Sequence, residues 1–187
     1  MNDIDLTQRF KNKMAPYKRT IGRYNSSELY FINEGLLSPE DWLNPPEKSL
    51  KEMFTMWDGI GSHTQLEDLL GTKNSEIKKV TVYRGISLVA KVDFLPPGLD
   101  EVWEFKSSKR KMSEMKEWHA HQVKLYCSIF EKEKGIVYQP VRNDDGIYLK
   151  NLGSVDRDDQ WFREEFEKLF KFHLKVISLT NLTNGKL

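Results

Sequence analysis

The stretch VDFLPPGLDEVWEFKSSK, Val92 to Lys109, decides how this chain is read. Two apolar-rich segments flank a Pro-Pro-Gly turn, which predicts a pair of strands. The first segment carries Asp93, and the second carries Glu104 and Lys106 two residues apart. Side chains alternate across a strand, so Glu104 and Lys106 share a face while Phe105 takes the other. Folded back on each other, the segments bring both carboxylates and the ammonium toward one pocket. Burying charge is costly unless it is paired or bound to a metal. Two close carboxylates also raise each other's pKa unless a cation sits between them. A hard divalent ion with oxygen ligands, Mg²⁺ or Mn²⁺, answers that problem. Solvated charges on an edge strand, with Glu104 and Lys106 in a weak surface pair, are the plain alternative.

Outward from this stretch, KVTVYRGIS, LVAKVDFL and DEVWEFKSS are rich in β-branched and aromatic residues and predict three strands. Residues 1 to about 78 read mainly helical. NSSEL at Asn25 and SPEDWL at Ser38 look like capped helix starts, the second with Pro39 at the first helical position. A longer run closes at Gly71, and Gly59 and Gly61 predict a break in it just before His63. Downstream, SEMKEWHAHQVKLYCSIFEKEKG predicts a helix from near Ser113, closed by Gly135. GIVYQPV and GIYLKNL predict a hairpin around NDDG. DRDDQWFREEFEKLFKFH predicts a final amphipathic helix with Phe162, Phe166, Leu169 and Phe170 on one face, and the tail after Leu174 is ambiguous. The sum is one domain over residues 1–187, α/β of a mixed α+β kind with a central sheet. It divides into a helical N-terminal part (1–78), a sheet core with a crossing helix (79–151), and a closing helix and tail (152–187).

With 39% hydrophobic and 12% aromatic residues in 187, the chain can bury a core, which argues against disorder. The net charge of +1 means that only a local patch could favour nucleic acid. KSSKRKMSEMK is that patch: Lys106, Lys109, Arg110, Lys111 and Lys116 are offset only by Glu114. A solubilising basic loop would look the same. A single cysteine, Cys127, excludes an intramolecular disulfide, a Cys-rich zinc module and a four-cysteine iron–sulfur cluster. The polar start has no secretory pattern and no stretch has the length of a membrane span, so an intracellular, cytoplasmic protein is expected.

Two more signals lie near the charged strands. His63 and Glu67 are four apart, hence on one side of a helix turn, where the imidazole could add a ligand or simply serve the surface. On the apolar stripe Trp118, Leu125, Tyr126 and Ile129, Gln122 is the polar interruption, and a core-facing amide needs a partner. Either it is a satisfied core glutamine, or Gln122 and Tyr126 point over the sheet toward the carboxylates.

The ordered set GSHTQLE, VDFL, WEFKSS and HQVKLY resembles the four motifs of the RecB-like nucleases in the PD-(D/E)XK superfamily, over about residues 57 to 130. Each motif is weak, and the ordered set is far more specific. The resemblance implies a restriction-endonuclease-like core and a Mg²⁺- or Mn²⁺-dependent nuclease acting on DNA, single- or double-stranded. It implies His63, Asp93 and Glu104 as metal ligands, with the Phe105 carbonyl a further one. Lys106 would be catalytic, with Gln122 and Tyr126 beside it. Lys109, Arg110, Lys111 and Lys116 would contact the DNA backbone. A homo-oligomer or a nuclease-complex partner would fit the same family. The chain departs from those relatives that clamp an iron–sulfur cluster, since one cysteine cannot. The rival expectations are a non-catalytic DNA-binding or interaction protein on the same fold, and a metal-dependent enzyme acting on free nucleotides.

Overall fold

The computed structural model describes residues 7–14, 19–107, 111–144 and 146–184, apart from the side chains of Thr72 and Asn184. Its helices are α1 (Thr7–Met14), α2 (Ser26–Asn33), α3 (Pro39–Leu43), α4 (Leu50–Leu70), α5 (Glu117–Phe130) and α6 (Asp159–Asn184). Its strands are β1 (Arg23–Asn25), β2 (Ser75–Tyr83), β3 (Ile86–Phe94), β4 (Glu101–Phe105), β5 (Lys134–Asn143) and β6 (Gly146–Asp156). They form one mixed sheet, consistent with the expected α/β class.

β2 runs antiparallel along β3 from Ser75 opposite Phe94 to Tyr83 opposite Ile86. Arg84 and Gly85 make the turn between them with φ of 48° and 80°, the double positive φ of a type I′ hairpin. KVTVYRGIS is therefore two strands and a turn rather than one strand. β1 pairs in parallel with residues 87–89 of β3, and β4 pairs antiparallel with it through Phe94 and Trp103. β4 and β5 are parallel, so a crossover must join them, and α5 is that crossover. β5 and β6 form the expected hairpin, with Asn143 opposite Gly146.

α5 packs on β4, β5 and β6, and α2, α3 and α6 form a further helical layer against it and one another. Phe166, Leu169, Phe172 and Val176 of α6 are buried there with Tyr24 and Trp42, whose rings lie 4.8 Å apart. A smaller cluster of Leu66, Phe94 and Phe105 joins α4 to the sheet.

Several boundaries differ from the sequence reading. α4 is unbroken through Gly59 and Gly61, held at its start by a capping box between Ser49 and Glu52. The N-terminal part also contains β1. α5 begins at Glu117 rather than near Ser113, and it stops at Phe130 because Glu131 turns left-handed with φ of 58°. From Leu174 to Asn184 the tail continues α6.

Gly135 is the point where α5 comes down on β5. A Cβ there would sit 2.1 Å from Val123 Cγ1 and 2.9 Å from Cys127 Sγ. Gly135→Ala should destabilise by about 1–3 kcal/mol through overpacking. Urea unfolding would read the loss, and Val123→Ala in the same chain should recover part of it.

Candidate active site

The register places the charged residues. With Phe94 opposite Trp103, Asp93 and Glu104 are the next residues along the two strands. There the Asp93 side chain takes over from the ladder: its Oδ2 accepts a hydrogen bond from the Phe105 backbone N–H at 2.7 Å. The other oxygen, Oδ1, lies 3.5 Å from His63 Nδ1 on α4. That contact raises the His63 pKa, against burial, which lowers it.

Glu104 is buried, and its Oε1 accepts from Lys106 Nζ at 2.5 Å. Its Oε2 is buried, with no hydrogen-bond partner among the described residues. Burial first, and the Asp93 charge second, push the Glu104 carboxyl up to about 8 despite Lys106.

Lys106 follows the last residue of β4. Besides Glu104, its Nζ donates to Gln122 Oε1 at 3.0 Å and lies 5.3 Å from the centroid of the Trp118 ring. Gln122 Nε2 donates to the Tyr126 hydroxyl at 2.7 Å, and Ser26 Oγ on α2 donates to the same hydroxyl at 3.4 Å. A polar chain thus runs from α2 through α5 to the end of β4. Tyr126 is held well above its ordinary pKa by burial and by Glu104, so it stays a neutral hydroxyl. His119, pulled down to about 4 by burial and then by Lys106 and Lys116, stays neutral too.

The structure therefore gathers Asp93, Glu104, the Phe105 backbone, Lys106, Gln122 and Tyr126, with His63 in contact through Asp93. Among the described residues, no three His, Cys, Asp or Glu side chains form a group that could hold a metal ion by themselves. Asp93 touches His63, whereas Glu104 faces Lys106. Glu67, one turn beyond His63, is raised by burial and then by Glu76. Lys111 and Lys116 are exposed, and Lys109 and Arg110 lie outside the described residues. Sequence reasoning missed Ser26, whose contact spans 100 positions, and gave Trp118 no contact with Lys106.

Gln122 now has both ends of its amide occupied. Gln122→Leu should leave the fold standing but free Lys106 and Tyr126 from a shared partner. On the nuclease activity that the sequence resemblance implies, turnover in a DNA-cleavage assay should fall roughly ten- to a hundredfold, about 1.4–2.7 kcal/mol in the barrier, with the melting temperature unchanged. Full activity in this variant would take α5 out of the site.

Neither a family model nor a curated protein sequence matches the chain. Solved structures do. An alkaline exonuclease from Laribacter hongkongensis, LHK-Exo, superposes with a TM-score of 0.56 at 13% identity, over 96% of this chain and 97% of its own. The chain shares its fold with solved exonucleases. LHK-Exo in complex with dAMP gives a TM-score of 0.58 at 14% identity, covering 96% of this chain and 99% of that one. A phage-related exonuclease from Haemophilus somnus 129PT gives 0.53 at 12% identity, over 91% and 99% of the two chains. The protein SSO0001 gives 0.56 at 16% identity, over 88% and 83%. No helix among the described residues is long and apolar enough to cross a membrane.

Proposed function

We propose that this protein is a divalent-metal-dependent DNA nuclease of the RecB-like PD-(D/E)XK type, working in DNA processing, recombination, repair or viral DNA metabolism. The observation that carries the reading is the buried Glu104 carboxylate, paired with Lys106 through one oxygen and, among the described residues, unpartnered at the other. Asp93 from the neighbouring strand adds to the same negative potential. Mg²⁺ keeps several waters and is held by one or two carboxylates plus substrate phosphates, not by an all-protein cage. Two carboxylates, with the His63 imidazole beside one of them, therefore fit such an ion, or Mn²⁺.

In this reading Asp93 and Glu104 are the principal ligands, with the Phe105 carbonyl and a neutral His63 as further donors. A bound divalent ion would lower the pKa of a coordinated water and offset charge on the phosphate. The chain's own contribution is orientation. The Phe105 N–H and His63 fix the two oxygens of Asp93. Gln122 and Tyr126 fix the Lys106 ammonium, which stabilises charge on the phosphate. Lys111 and Lys116, with Lys109 and Arg110, supply phosphate contacts that carry no base sequence information. The shared fold with LHK-Exo, solved with dAMP, supports DNA as the polymer.

Purified protein should degrade end-labelled linear DNA with Mg²⁺ or Mn²⁺ and stop with EDTA, on single- or double-stranded substrates run side by side. Cleavage that survives thorough chelation would end the metal reading. A gel shift without cleavage in any metal would return the protein to a non-catalytic DNA binder.

A further inference from the structure

We propose that Trp118 is a positioning residue for Lys106, holding the ammonium against its indole face. The inference rests on the nuclease reading for what Lys106 does, but the contact itself stands on the geometry. Lys106 Nζ lies 5.3 Å from the ring centroid, inside the ~6 Å reach of a cation–π attraction. Trp118 is one helical turn before Gln122 on α5, so the two share a face. The ring and Gln122 Oε1, at 3.0 Å, thus approach the ammonium from the helix, while Glu104 Oε1, at 2.5 Å, approaches from the strand.

These holds are not equivalent. Lys106 lies just past the end of β4 on a four-carbon stem, so its backbone fixes the ammonium poorly. A carboxylate that also serves a cation holds an ammonium less firmly. The two α5 contacts do not share that carboxylate, and of the two, the ring makes no hydrogen bond that another donor could take. Trp118 is itself braced, with the His119 ring 3.7 Å and the Phe31 ring 6.2 Å away. Replacing it with an aliphatic side chain fills the space but leaves the ammonium on Gln122 alone whenever Glu104 is engaged elsewhere.

The test begins without metal. Tryptophan emission is compared between wild type and Lys106→Met in EDTA, then again in a Trp118→Phe background, which is dark at that position. Removing the ammonium should shift or brighten the emission in the first pair and leave the second unchanged. An equal change in both pairs, or none in either, overturns the contact. Turnover then reads its consequence. Trp118→Leu should lower kcat roughly three- to thirtyfold at unchanged KM, Mn²⁺ affinity and melting temperature, with Trp118→Phe in between. Progressively fluorinated tryptophans at position 118 thin the π density at nearly constant shape, so kcat should fall step by step. A flat series, or a Leu loss that follows the melting temperature, assigns Trp118 to packing and sinks the proposal. If wild type cuts no DNA, the nuclease reading fails, and the emission comparison still decides the contact.

Discussion

Asp93→Asn and Glu104→Gln should each abolish DNA cleavage, on the order of a thousandfold or more, the ~4 kcal/mol scale of losing a preorganised electrostatic contact. The amides are the informative choices because of what the carboxylates already do. Asp93 accepts from the buried Phe105 N–H, so Asp93→Ala would strand a backbone donor and cost stability as well as charge. Asp93→Asn keeps an acceptor there and removes only the charge. Glu104→Gln likewise keeps an oxygen for Lys106. Both variants should lose Mn²⁺ binding in calorimetry while melting close to wild type. Lys106→Ala should separate ligand from chemistry: turnover lost, most of the Mn²⁺ affinity kept, since an ammonium does not ligate a cation. Wild-type Mn²⁺ binding in Asp93→Asn would put the site in the wrong place.

What was legible in the sequence is what short-range pattern encodes. Alternation on either side of the Pro-Pro-Gly turn gave β3 and β4, and that pairing is what sets Asp93 beside Glu104. Gln122 was legible because a polar residue interrupted an apolar stripe, and the need for a partner is a physical one. The structure supplies two, Lys106 and Tyr126. NDDG between β-rich runs gave the β5–β6 hairpin for the same local reason.

The errors have equally physical causes. Two glycines in α4 suggested a break, yet each costs only about 1 kcal/mol in a helix interior. The capping box and the Leu66 contact with Phe94 and Phe105 set against that cost. The Arg84-Gly85 turn hid inside a β-branched run because an arginine rarely takes positive φ, while Asn-Gly would have announced it. β1 is three residues long and is defined by parallel pairing with a strand some 60 positions away, which no local periodicity records. Ser26 reaches Tyr126 by the same kind of distant contact. Glu165 was not singled out in the sequence, where it sits in the charged run REEFEK; its burial comes from Asn33 of α2 and His121 of α5 closing on it.

That residue carries the last prediction: Glu165→Ala should destabilise the protein by about 3–5 kcal/mol, the cost of removing one partner from a buried charged group. Glu165 is only 2% exposed. Its Oε2 lies 2.6 Å from His121 Nε2 and accepts from Asn33 Nδ2 at 2.5 Å, and its Oε1 accepts from Lys168 Nζ at 2.7 Å. Burial alone would raise its pKa, but the hydrogen bonds from His121, Lys168 and Asn33 outweigh burial and bring it down to about 2 from 4.5. A carboxyl depressed in the folded state contributes stability that is fully present above its unfolded value. The contribution is lost as pH falls from about 4.5 toward 2. Urea unfolding of wild type and Glu165→Ala should therefore differ most at neutral pH and converge on acidification through that window. A constant gap from pH 7 to 2 would mean that packing, not charge, sets the cost. His121 and Gln122 are adjacent on α5 but face different partners, Glu165 on α6 and Lys106 after β4. Below its melting temperature, Glu165→Ala should keep Mn²⁺ affinity and cleave DNA like wild type, so a specific loss of turnover would show that the α6 side of the helix reaches the site.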